Sequence, residues 1–263
     1  MNKINIENPL AIKRIMQDSS FETKLGKTVI FTSGNGWYLD TLIFNLVVSM
    51  RRNDSKYADK LTVVCTDTEA VKKCLQLGIE NYILVKIPAL GVESFTQNHS
   101  NDIEKYTRLC FVKTVIMSFL LDLGITGIYI DPDMAFVKPA IDDIISKAVE
   151  KPIVFAGRPE YLNTNIMVAR PTEPVKSLFN LKYEHVQIVL NTEGLYGDED
   201  YIRECYMRNI RLFGMTHYLS SEEYPNGREL GKHRTTCRMA HANCVQGLIN
   251  KIQLLKSNGV WFL

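Results

Sequence analysis

A chain of 263 residues with 46% hydrophobic and 23% charged residues has the composition of a globular protein that buries a real core. Its formal net charge of +2 excludes wholesale polyanion binding, and no basic stripe interleaved with aromatics supports a nucleic-acid role. No apolar run reaches the ~20 residues of a membrane span, the longest (near Val115–Leu123) being broken by Ser118 and Asp122.

Taken in chain order, Lys27–Ser33 (KTVIFTS) is a short β-branched run closed by a Gly-Asn-Gly turn, and reads as the first strand. Apolar residues at helical spacing follow over Trp37–Met50. Leu61–Thr66 is a second strand ended by Asp67, and Glu69–Leu77 a helix stopped at Gly78. Tyr82–Ile87 is a third strand, Glu104–Leu123 a long helix ending at Gly124, and Ile125–Ile130 a fourth strand. In the second half Pro152–Ala156, Asn165–Ala169 and Ile210–Phe213 read as strands, Pro174–Leu190 and Asp198–Arg208 as helices, and Ser220–Arg234 as an exposed loop. Strands alternating with helices, and nearly continuous in apolar character, predict an α/β fold with a mainly parallel sheet covered on both faces. No linker divides the chain, so one domain is expected.

The six cysteines, Cys65, Cys74, Cys110, Cys205, Cys237 and Cys244, form no Cys-x-x-Cys pair and show no regular spacing. The N-terminal MNKINIENPL lacks the apolar core of a signal peptide. Reduced thiols in a reducing compartment follow from both. The sequons Asn53-Asp54-Ser55 and Asn98-His99-Ser100 are read as chance occurrences.

The informative stretch is Gly127–Phe136, GIYIDPDMAF, where an apolar strand runs into two carboxylates flanking a proline. Asp-x-Asp segments are commonly solvated turns, and Pro132 suits a turn because its φ is preset. Here, however, the pair closes a buried strand. In open parallel sheets ligands sit beyond the carboxyl ends of the strands, where Thr32–Asn35 and Thr66-Asp67 also fall. Oxygen ligands so placed suit a hard divalent cation bridging to a diphosphate.

The run Lys105–Phe136, KYTRLCFVKTVIMSFLLDLGITGIYIDPDMAF, resembles the nucleotide-diphospho-sugar transferase family of GT-A-fold glycosyltransferases. There a helix leads through a Gly turn into a hydrophobic strand and the Asp-x-Asp motif. Thr32–Asp40 resembles that family's first-strand loop, Val63–Asp67 its second strand, and Leu162–Arg170 its Asn-Thr-Gly strand. Gly197–Asp200 stands where the family usually has Asp-Gln, and His241-Ala242-Asn243 with Gly247, Lys251 and Trp261 resembles its C-terminal signature. The resemblance implies a nucleotide-binding half over about 28–135 and a mixed sugar and acceptor half over about 136–263. Two departures stand out. Asn165 replaces the Gly, adding a side chain where the sugar is expected, and Glu199 replaces the Gln, adding an acid near the reacting carbon.

What the resemblance implies is transfer of a sugar from a nucleotide diphosphate, a UDP-sugar, to a hydroxyl on a glycan, protein or small molecule, with retention of anomeric configuration. Asp131 and Asp133 are the expected ligands of Mn²⁺ or Mg²⁺, with His241 the third. Asp131 is also expected at the ribose. Thr32, Tyr38 and Asp67 are candidates for the nucleoside, and Arg108, Lys113 and Lys251 for the phosphates or donor. Each has an ordinary structural alternative: Tyr38 as packing at a helix start, Asp67 as a helix cap, the lysines as solvated or snorkelling side chains. Asn163, Thr164 and Asn165 are expected around the sugar. Asp198 is assigned to its hydroxyls, and Glu199 to the anomeric carbon as charge stabiliser or transient nucleophile, though an acidic first turn also simply suits a helix. A cytoplasmic location, in a bacterial, viral or host cytosol, is expected.

Two other classes share parts of this pattern. Haloacid-dehalogenase-type phosphatases also end a strand in Asp-x-Asp, but on the first strand and with Thr or Val two residues after the second Asp, where this chain has Ala135. A non-catalytic nucleotide-sugar-binding protein is the alternative that Asn165 and Glu199 keep open.

Overall fold

The computed structural model describes residues 6–94, 102–192 and 197–263; Asn98 of the second sequon lies outside them. In chain order the strands are β1 (Phe21–Thr23), β2 (Gly26–Gly34), β3 (Leu61–Cys65), β4 (Tyr82–Leu84), β5 (Thr126–Ile130), β6 (Met134–Phe136), β7 (Ile153–Arg158), β8 (Tyr161–Ala169), β9 (Thr216–Leu219) and β10 (Met239–His241). The α-helices are α1 (Pro9–Ser19), α2 (Gly36–Tyr38), α3 (Phe44–Asn53), α4 (Ser55–Ala58), α5 (Thr68–Gln76), α6 (Ile103–Asp122), α7 (Ile141–Glu150), α8 (Glu173–Phe179), α9 (Tyr183–Asn191), α10 (Asp198–Met207), α11 (Arg211–Gly214), α12 (Leu230–His233) and α13 (Leu248–Ser257).

The main sheet runs β4-β3-β2-β5-β8-β7-β9, with β1 folded back on β2. Its first half is parallel, β2 pairing with β3 and β5, and β3 with β4. The second half is mixed: β8 is antiparallel to both β5 and β7, while β9 is parallel to β7. Alternate residues of each central strand feed opposite cores. Val29, Phe31, Tyr129 and Met167 pack on the α6 side, whereas Ile30, Ile128, Ile130 and Ile166 pack on the side of α3 and α7. Helices cover both faces, as the unbroken apolar strands require.

Several boundaries differ from the sequence reading, each for a physical reason. Ile210–Phe213 is not a strand; Arg211–Gly214 form a helical turn, and the strand is Thr216–Leu219, whose alternation is hidden by His217 and Tyr218. Pro174–Leu190 is two helices, α8 and α9, separated at Asn180–Lys182, where the Lys182 backbone N–H donates to the His185 ring. The Trp37–Met50 helix contains a π-helical stretch at Leu39–Ile43. The Ser220–Arg234 loop includes α12. Short strands β6 and β10 had no sequence signal, because three residues are too few for periodicity. Asn53 donates its side-chain amide to the Phe136 carbonyl at 2.8 Å, so the nitrogen of the first sequon is already engaged.

Candidate active site

The parallel half switches direction around β2: the chain goes outward to β3 and β4, then returns through α6 to β5 on the other side. A cleft of about 330 Å³ opens at the carboxyl ends of these strands, at the position such a topology dictates. Ser33 and Gly34 from β2, Thr66 beyond β3 and Asp131–Asp133 beyond β5 all border it. The Thr66 hydroxyl is buried without a hydrogen-bond partner, which leaves a polar atom available at this end.

The carboxylate pair meets its histidine through a two-stranded ladder. In β6 and β10, Met134 pairs with His241, Ala135 with Ala240 and Phe136 with Met239. The Ala242 N–H donates to the Asp133 carbonyl at 3.0 Å. One ligand-type atom from each of Asp131, Asp133 and His241 lies within 4.8 Å of the others. Two carboxylates and an imidazole form a donor set that could hold a metal ion, and the spacing fits a single ion. His241 Nε2 is 3.1 Å from Asp133 Oδ1 and 3.6 Å from Asp131 Oδ2. Lys251, from α13, donates to the other Asp133 oxygen. Burial works against ionisation of Asp133, but the Lys251 ammonium and the His241 ring outweigh it and hold the carboxyl far below the usual range.

Asp131 is held from below. Tyr129 donates its hydroxyl to Asp131 Oδ1 at 2.7 Å, and Lys113 Nζ lies 3.4 Å from the same oxygen. Lys113 comes from the middle of α6 and is only 7% exposed, yet it also reaches Asp198 Oδ1 at 3.3 Å. Burial would strip its proton, but the two carboxylates more than offset that and raise its pKa. The ammonium therefore ties the end of β5 to the start of α10. At that start Asp198 is pushed up to about 6, by burial first, against the pull of Lys113. Glu199 beside it is pushed up to about 7 by burial, again against Lys113, with the Asp198 charge adding to the rise.

The β7–β8 pairing shapes the remaining wall. Phe155 pairs with Met167, but the next residue, Ala156, pairs with Asn163, so Thr164–Ile166 leave β7 and turn toward β5. Asn163 and Thr164 thereby border the cleft, and the Asn165 carbonyl accepts from the Asp131 N–H at 2.8 Å.

Ten of the site candidates named from the sequence come together along this cleft: Tyr38, Lys113, Asp131, Asp133, Asn163, Thr164, Asp198, Glu199, His241 and Lys251. Four do not border it. Thr32 is fully buried within β2. Asp67 caps α5, accepting from the Ala70 N–H at 2.6 Å, and its two oxygens also accept from the Gly36 N–H. Arg108 pairs with Glu104 on the first turns of α6 at 2.7 Å, away from the cleft. Asn165 lies underneath, its side chain turned to His241 rather than into the cleft. Lining residues not picked out in the sequence include Tyr106, Cys110 and Tyr129. Tyr106 and Cys110 stand seven and three residues before Lys113 on α6, so helical spacing from Lys113 was the signal that could have found them.

Comparisons with known proteins agree on the fold. No curated protein matches the sequence. Among solved structures, the apo bifunctional glycosyltransferase WbbM superposes with a TM-score of 0.55 at 11% identity, covering 87% of this chain and 49% of its own. This chain thus spans about half of that protein. Apo mouse xyloside xylosyltransferase 1 gives 0.53 at 11% identity over 84% of this chain and 99% of its own. The galactosyltransferase LgtC, in complex with donor and acceptor sugar analogues, gives 0.51 at 8% identity over 90% and 97%. At such identities the likeness carries the fold alone, and that fold is GT-A. The family model for nucleotide-diphospho-sugar transferases matches residues 56–255, a span that includes the Asp131–Asp133 pair, Lys113, Asp198, His241 and Lys251, and the chain belongs to that family.

Proposed function

We propose that the chain is a metal-dependent glycosyltransferase that takes a sugar from a UDP-sugar and places it on a hydroxyl acceptor with retention of anomeric configuration. The observation that carries this reading is the cluster of Asp131, Asp133 and His241 at the carboxyl end of a parallel sheet. Asp131, Asp133 and His241 would hold Mn²⁺ or Mg²⁺, which supplies Lewis-acid neutralisation of a leaving diphosphate. Charge balance supports the assignment. The cleft presents Asp131, Asp133, Asp198 and Glu199 against Lys113 and Lys251, so a diphosphate meets an excess of carboxylate unless a cation accompanies it.

In this reading the chain's own groups divide the work. Lys251, already on Asp133, faces the phosphates and adds positive charge where the leaving group gains negative charge. Tyr38, Ser33 and Thr66 take the nucleoside end, Tyr38 offering a ring and Thr66 a free hydroxyl. Asn163, Thr164 and Asp198 take the sugar hydroxyls. Glu199 faces the anomeric carbon, where its ionised form offsets oxocarbenium charge or attacks directly. Lys113 keeps Asp131 and Asp198 at fixed separation, linking the phosphate and sugar ends.

The test is a thermal-shift and donor-hydrolysis screen of nucleotide sugars with and without Mn²⁺, using the wild type and Asp133→Ala. A metal-dependent shift and turnover, both lost in Asp133→Ala, are expected. No shift with any nucleotide sugar or nucleotide diphosphate would sink the reading. Binding with neither hydrolysis nor transfer would assign the chain to nucleotide-sugar binding without catalysis.

A further inference from the structure

Asn165 stands where the sequence resemblance places a glycine, and its side chain has a defined job in the structure. Its Oδ1 accepts from the Ile166 N–H at 2.9 Å. With the oxygen so committed, the amide nitrogen Nδ2 is the atom that faces His241 Nδ1, at 2.7 Å. Turning the amide over would set an NH₂ group against the Ile166 N–H, donor against donor. The orientation is therefore fixed by the backbone, and the contact is buried, with Asn165 2% and His241 3% exposed.

An amide NH₂ only donates, so His241 Nδ1 must present its lone pair and the ring proton must sit on Nε2. That proton points at Asp133 Oδ1, 3.1 Å away, with Asp131 Oδ2 at 3.6 Å. Every donor and acceptor in the chain Ile166–Asn165–His241–Asp133 is matched. A cation held jointly by Asp131, Asp133 and His241 needs the opposite tautomer, with the lone pair on Nε2 and the proton on Nδ1. That proton would then face the Asn165 NH₂.

We propose that Asn165 is a latch on this site: it holds His241 in the Nε2–H tautomer, and cation capture by His241 requires its amide to turn over. The inference rests on the metal-binding reading above. On capture the ring gives its Nε2 proton to solvent and takes one at Nδ1, so the net proton count is unchanged. The turned amide accepts from Nδ1–H through Oδ1 and gives up its bond to the Ile166 N–H. Asn165 thus acts through His241 as a positioning residue. Removing its side chain lets water accept from Nδ1–H instead, which should tighten binding about tenfold, the low end of what groups behind a metal-ligating histidine contribute.

The experiment has two readouts besides turnover. In ¹⁵N-histidine-labelled wild type without metal, long-range NMR correlations should show His241 as the Nε2–H tautomer, changing to Nδ1–H on saturation with diamagnetic Mg²⁺. Mn²⁺ titrations followed by electron paramagnetic resonance should give about tenfold tighter binding in Asn165→Gly. Thermal unfolding checks that this variant is folded; Asn165→Ser, whose hydroxyl can donate or accept, should shift affinity the same way if Gly is not tolerated on the strand. Mn²⁺ binding by a wild type that is already Nδ1–H without metal, or variants that bind no more tightly, would overturn the latch alone. An Nε2–H wild type with no Mn²⁺ uptake by any form would overturn the metal-binding reading, and the latch with it.

Discussion

Glu199 shows what one substituted side chain does to a buried site. Burial places its pKa at about 7 rather than near 4.5, so ionising it costs about 3 kcal/mol more in the folded than in the unfolded chain. The sign follows from a raised carboxyl pKa. The stability contributed by protonated Glu199 is fully present below about pH 4.5 and is lost as pH rises through about 7. Glu199→Gln is therefore expected to leave stability at pH 4.5 little changed and to raise it by about 3 kcal/mol at pH 8. Urea unfolding across that range checks this, and parallel wild-type and variant curves would refute it. If ionised Glu199 serves the reacting carbon, wild-type donor hydrolysis should also climb through pH 7, and the variant should lack that limb. At this scale the sequence was a good guide to which side chains meet and a poorer one to orientation. Asp131, Asp133, His241 and Lys251 do meet. Asp67 was equally prominent as a strand-end acid, but its oxygens are taken by the N–H groups of Gly36 and Ala70. Which hydrogen bonds a carboxylate spends locally depends on backbone positions that a motif does not encode.

Among the elements, the β6–β10 ladder decides whether the site exists, since it sets His241 beside the strand-end carboxylates. It is braced from outside by the Pro225-Asn226-Gly227 turn. The Gly227 N–H donates to Asn243 Oδ1 at 2.7 Å, and a Cβ at Gly227 would sit 2.1 Å from the Asn243 carbonyl oxygen. Backbone cannot swing aside as a side-chain tip can. Gly227→Ala should therefore displace the segment after β10, costing roughly 1–3 kcal/mol and weakening Mn²⁺ binding by carrying His241 with it. Thermal unfolding and Mn²⁺ titration measure both effects; a variant with wild-type stability and affinity would show that the brace is dispensable. Long elements such as α6 and β5 were legible because many residues repeat one period. The three-residue strands, the α8–α9 break and the α11 turn were not, because their conformations answer to neighbours rather than to local pattern.

For the whole molecule, the parallel half brings strand ends from β2, β3 and β5 to one edge, and the mixed half supplies the opposite wall from β8, α10 and α13. The resulting cleft gathers four carboxylates against two ammonium groups although the chain as a whole carries a net charge of +2. A nucleotide diphosphate entering without a cation meets that local excess at short range, in a partly enclosed site where screening is weak. Chelation is therefore expected to lower UDP affinity at least tenfold. Calorimetric titration of UDP with Mn²⁺ and again with EDTA measures the difference, and equal affinities would mean that Lys113 and Lys251 suffice. No described helix is long and apolar enough to cross a membrane.

By itself the sequence determined the α/β class, the order of the long elements and the chemical types converging on the strand ends, because apolar periodicity and strand-terminal acids are local signals. The tertiary structure alone decided that Lys113 would tie Asp131 to Asp198, that Asp67 would be spent as a cap, and that Asn165 would turn under His241 instead of into the cleft. Each depends on where separate segments come to rest against one another, and hence on registers and irregular pairings such as the break between Phe155 and Ala156, where a single shift in alignment changes which face a side chain presents.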